Sequence, residues 1–124
     1  MRYLLLLTLL IVSSPYASMI IKSTELNEQM ASDLGFEFKK TLDKSGLTIE
    51  LKGPKVFGDS CTPLASGHFV VQNGKELSAF INSAHPEEPQ SIAFIAESVD
   101  ANLIVFMDYE CENDAKRFTV SSNE

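Results

Sequence analysis

Residues 68–81 read His68-Phe69-Val70-Val71-Gln72-Asn73-Gly74-Lys75-Glu76-Leu77-Ser78-Ala79-Phe80-Ile81, and this stretch decides the fold class. An Asn-Gly pair between two runs rich in β-branched and aromatic residues is the strongest short hairpin signal, because both central positions of the tight turn need positive φ. A two-residue turn at Asn73-Gly74 sets His68 opposite Ala79, on the face of Val70 and Leu77. There a half-buried structural histidine is expected rather than a catalytic one.

The same period-two pattern recurs on either side. Phe36 and Phe38 alternate with Glu37 and Lys39, and Leu47, Ile49 and Leu51 alternate with Thr48 and Glu50. Asp43-Lys44-Ser45-Gly46 forms the loop between them, in a register that opposes Leu42 to Leu47 and Phe38 to Leu51. Ser91–Glu97 and Asn102–Cys111 are nearly continuously apolar, as central strands covered on both faces would be. Asp100 and Asn102 mark the turn between them, and Asn113 and Asp114 mark the next. Lys116–Ser121 makes a last strand with Phe118 and Val120 inward. About seven short strands separated by turns predict an all-β domain, an antiparallel β-sandwich, with an Ig-like arrangement or a small barrel as the variants. A short helix is expected only within Thr24–Leu34, where Leu26, Met30 and Leu34 recur every four residues and Gly35 caps the end. Residues 53–66 and 82–90 read as surface loops.

Residues 1–17 have the pattern of a signal peptide: Arg2, an apolar run from Leu4 to Val12, breakers at Ser13, Ser14 and Pro15, and cleavage after Ala17. The apolar run is about half the ~20 residues that span a bilayer, so no stable membrane insertion is expected after cleavage. An uncleaved anchor prolonged through Met19, Ile20 and Ile21 is the alternative. Residues 18–124 are then a single domain, periplasmic or secreted. Cys61 and Cys111 are the only cysteines, and an isolated pair in an exported chain predicts one disulfide. Their spacing matches neither a CxxC redox motif nor a zinc site.

The chain of 124 residues carries 17 acidic and 10 basic residues, a formal net charge of −7. Such a balance argues against nucleic acid, whose phosphates call for clustered cations. The imbalance is local. Residues 18–75 hold seven acidic and seven basic residues, whereas residues 76–124 hold ten acidic residues against Lys116 and Arg117. Asp108, Glu110, Glu112 and Asp114 share one parity, so a strand continuing through them would display four carboxylates on one face. They are the candidate partner-binding residues, suited to a protein with a basic surface. Hard cations also favour such oxygen sets, although the spacing is not that of an EF-hand loop and no metal or cofactor is assigned.

Catalytic signals are thin. Gly58-Asp59-Ser60 resembles the nucleophile block of one esterase superfamily, which would make Ser60 the nucleophile. That chemistry needs a histidine held by a carboxylate, and the αβα units of that superfamily have no counterpart here. His85, before Pro86 in a polar loop, reads as solvated. No catalytic residue is assigned. The expectation is an exported, non-enzymatic binding or accessory protein acting through protein–protein contacts. The alternatives are an inhibitor or immunity-type protein that occupies the cleft of a cationic hydrolase such as a lysozyme, and a calcium-binding extracellular module.

Overall fold

The computed structural model describes residues 21–58 and 60–123. The signal peptide expected over residues 1–17 therefore lies outside the described residues. The chain runs β1 (Ile21–Glu25), α1 (Glu28–Leu34), β2 (Glu37–Leu42), β3 (Gly46–Lys52), β4 (Thr62–Gln72), β5 (Lys75–Ser83), β6 (Gln90–Ala96), β7 (Asn102–Glu110) and β8 (Ala115–Ser121). A five-stranded sheet, ordered β1-β8-β7-β4-β5, packs on a three-stranded sheet, ordered β2-β3-β6. The all-β sandwich expected from the period-two pattern is what forms, as two open sheets.

Among the described residues there are eight strands where seven were expected, because the start of the Thr24–Leu34 helix is drawn into a strand instead. Ile21–Glu25 pairs in parallel with β8, from Ile21 opposite Ala115 to Glu25 opposite Thr119. The other strand pairs are antiparallel. The Leu26 amide donates to the Thr119 carbonyl at 2.8 Å, and only then does the chain turn helical. Asn27 caps α1, its side-chain oxygen accepting from the Met30 amide at 2.8 Å. Gly35 closes the other end as expected, its N–H bonding back to Ala31 and Ser32 carbonyls.

The β2–β3 hairpin has the expected register, Leu42 opposite Leu47 and Phe38 opposite Leu51. In its turn the Asp43 carboxylate accepts from the Ser45 hydroxyl at 2.6 Å and from the Ser45 and Gly46 amides. The bonds to Ser45 and Gly46 hold its pKa below the ordinary carboxylate value.

The Asn73-Gly74 turn also forms, with φ of 52° and 76°. Near the turn the pairing is the expected one, Gln72 opposite Lys75 and Val71 opposite Glu76. A β-bulge then adds one residue, so Val70 faces Ser78 and His68 faces Phe80 rather than Ala79. A bulge slips every later pair by one position, and a two-residue-turn register cannot anticipate it.

Strand β7 is central, and buried on both faces as expected. Leu103, Val105, Met107 and Tyr109 belong to the core between the sheets, while Phe106 and Asp108 are buried on the opposite face. Strand β6 departs from expectation. Ser91, Ala93 and Ile95 face inward, but β6 is the end strand of the small sheet, and Ile92 and Phe94 remain 56% and 51% exposed.

Beside the disulfide, Phe36, Phe57, Tyr109 and Phe118 form an aromatic cluster, with Phe36–Phe118 centroids at 4.7 Å and Phe57–Phe118 at 4.9 Å. The fully buried Tyr109 donates its hydroxyl to the Pro54 carbonyl at 2.7 Å. Burial raises that hydroxyl's pKa well above the ordinary phenol range.

Candidate functional site

Cys61 and Cys111 form the expected disulfide. Cys61 immediately precedes β4 and Cys111 immediately follows β7, where Thr62 and Glu110 are cross-strand partners. The bond therefore clamps the ends of two neighbouring strands. Phe57 and Cys61 add a two-way backbone bridge that folds the 53–61 loop over this end.

The four carboxylates after it are not displayed on one strand face. Strand β7 stops at Glu110, and the chain reverses through a turn closed by the Cys111 amide on the Asp114 carbonyl at 2.8 Å. Glu110 and Glu112 are exposed and Asp114 is half-buried. Asp108 is 4% exposed. It sits opposite Arg117 across the β7–β8 pair and takes two bonds from that guanidinium, at 2.7 Å from Nε and 2.9 Å from Nη2. The guanidinium also lies over the Phe106 ring at 4.3 Å and the Phe69 ring at 5.2 Å, and these rings stack at 4.8 Å. Asp108 thus answers a cation within its own chain, and the carboxylates open to a partner from this set are those of the strand end and the turn.

The residues weighed for catalysis stand apart. Asp59 lies outside the described residues, and Ser60 is exposed. The His68 ring stacks on Phe80 at 5.7 Å. His85 Nδ1 accepts from the Glu87 and Glu88 amides, both at 3.1 Å, shaping its own loop. Among the described residues neither imidazole bonds to Ser60, and no three His, Cys, Asp or Glu side chains converge as a metal-binding set. No helix among them is long and apolar enough to cross a membrane.

The surface that sequence reasoning missed is β5. The small sheet lays β6 over β7 and β4, and the large sheet carries one strand further. All nine residues of β5 are exposed, including Leu77, Phe80 and Ile81 at 55%, 56% and 61%. Phe80 lies on the inner face with His68, while Ile81 lies on the outer face with Gly67 and Phe106. A Cβ on Gly67 would collide with the Phe80 carbonyl, so the bare backbone there lets β5 lie close along β4. Exposed edge strands are usually guarded by lysine, proline or inward charge. The run Leu77-Ser78-Ala79-Phe80-Ile81-Asn82-Ser83-Ala84 has none of these. That uncharged run was the available signal, but with apolar residues at both parities it looks like a buried strand. Compared with protein-family models, curated proteins and solved structures, the chain matches none of them.

Proposed function

We propose that the protein is a small exported binding protein, non-enzymatic, which works in the periplasm or outside the cell through protein–protein contacts made by β5 and the free edge of β6. The exposure of the whole of β5 carries this reading. Its three large apolar side chains fall within five consecutive residues of one strand and each is more than half exposed, and Ile92 and Phe94 expose further apolar surface on β6. An open strand edge offers backbone donors and acceptors in a fixed row, the means by which sheets recruit an added strand. The disulfide supports an oxidising compartment, and the leader-like residues 1–17 support export. The acidic second half of the chain adds a field that favours basic partners at low salt.

A photo-crosslinking residue placed at Ile81, with a control at Glu37 on β2, tests this in cells that produce and export the protein. Covalent adducts are expected from position 81 and not from position 37. An adduct-free position 81 would refute the reading.

A further inference from the structure

We infer that the occupant of β5 is a second copy of this chain, paired antiparallel through β5 about a two-fold axis at Phe80, so that two five-stranded sheets become one of ten. This rests on β5 being the working surface and names what fills it.

Three observations support the assignment. The first is backbone direction. The Phe80 carbonyl is turned back toward β4 at Gly67, and backbone groups alternate along a strand. Ala79 and Ile81 therefore turn their N–H and C=O groups away from β4, toward a neighbour. An axis at Phe80 sets Ala79 against Ile81 of the second copy and Ile81 against its Ala79, which closes symmetric hydrogen bonds. Phe80 then meets Phe80 of the second copy in the closer, non-hydrogen-bonded kind of pair.

The second is chemical match. Around that axis Ser78 meets Asn82 of the second copy, hydroxyl against amide, and Leu77 meets Ser83. No charge lies between Leu77 and Ala84, so pairing two copies of an acidic chain here brings no like charges face to face. The apolar row on the outer face, Phe106 beside Gly67 and Ile81, continues into the second copy's Ala79. On the inner face Phe80 remains 56% exposed, open to Phe80 of the second copy. Of the other three end strands, β1 carries Lys22 and Glu25 and β2 carries Glu37, Lys39 and Lys40, the usual guards against such pairing; β6 is uncharged but shorter, and the charges of β5, Lys75 and Glu76, lie at its turn end, away from the axis.

The third is area. Leu77, Phe80 and Ile81 at their observed exposures offer roughly 300 Å² of surface per copy, and the rest of β5 offers a comparable amount. The pair then covers on the order of 1,000 Å² in total, the lower end for specific interfaces and the range of a reversible dimer.

Sedimentation of the purified protein from about 1 μM to about 1 mM should show the mass rise from one chain to two, as a micromolar dimer requires. Phe80→Lys and Ile81→Lys alter exposed side chains, and each should leave a monomer throughout with a cooperative unfolding transition. Register is read separately. A Ser78→Cys chain mixed with an Asn82→Cys chain should cross-link on mild oxidation. Neither should cross-link alone, since identical positions then lie about 13 Å apart, beyond disulfide reach. A monomer at the highest concentration, a dimer that survives both lysine variants, or a mixture that cross-links no better than the single variants would overturn the inference. A monomer in solution together with adducts from position 81 to a different protein would overturn it while leaving the binding reading standing. Absence of any adduct from position 81 would sink both.

Discussion

Arg117→Ala gives the clearest energetic test of how the large sheet is held. Its guanidinium makes two bonds, at 2.7 and 2.9 Å, to a carboxylate that is 4% exposed. Truncation leaves Asp108 buried without its cation. Breaking a buried pair from one side costs about 3–5 kcal/mol, and contacts with the two rings add about 0.5–1 kcal/mol each. The Arg117 side chain retains 22% exposure, so water reaches the site and the lower end applies, about 3 kcal/mol in all. For a domain of this size that lowers the melting temperature by about 12 °C. Replacing both partners, Asp108→Leu with Arg117→Met, removes the charge and its counter-charge together and should stay within about 1 kcal/mol of the parent. Urea unfolding of Asp108→Leu, Arg117→Met and the double, with the disulfide intact, completes a double-mutant cycle whose coupling should be about 2–3 kcal/mol. An Arg117→Ala cost under about 1 kcal/mol, or additive single effects, would refute the view that this pair is buried enough to matter.

Three further outcomes are expected. Reducing Cys61–Cys111, which are separated by 50 residues, should cost about 4 kcal/mol on the chain-entropy scale, measured as a shift in urea midpoint. Gly67→Ala should displace β5, because the added methyl meets the Phe80 carbonyl; faster amide exchange confined to β5 and β4 would register it, and unchanged exchange would contradict it. Tyr109, whose hydroxyl titrates above its ordinary value of 10.0, stays protonated in the fold while the unfolded chain ionises. Stability should therefore be level up to about pH 10 and fall above it by up to about 1.4 kcal/mol per pH unit. Tyr109→Phe should lose about 1 kcal/mol at neutral pH, with its bond to Pro54, and flatten the alkaline limb.

Local signals carried most of the fold. Turn chemistry placed Asn73-Gly74 and Asp43–Gly46, alternation placed β2 and β3, and an unbroken apolar run marked β7 as central. The departures have tertiary causes. Residues Ile21–Glu25 become a strand only because β8 offers a partner, and local propensity records nothing of that partner. The bulge beside Leu77 shifts His68 onto Phe80 without leaving a mark in the alternation. Strand β6 has the composition of a central strand, but among the described residues no third layer covers the small sheet, so its outer face, with Ile92 and Phe94, meets water. The carboxylate pattern was legible as parity, yet parity could not tell that β7 ends at Glu110 or that Arg117 lies across from Asp108. The disulfide needed only the cysteine count and a leader-like start. The open edge of β5 depends on the three-stranded sheet stopping one strand short of the five-stranded one, a difference between two sheets that no single stretch encodes.

The claim that β5 is the working surface is tested most directly by deuterium uptake over Lys75–Ser83, with β2 as an internal reference. Uptake is compared between dilute purified protein and concentrated protein in the fluid of the compartment to which it is exported, so that either a second copy or another partner can fill the edge. The expected result is fast exchange of the outward-turned amides of β5 in dilute solution, slowed at least several-fold in the native fluid, while β2 stays unchanged. Equal uptake by β5 in both settings, or protection that falls on β2 instead, would contradict it.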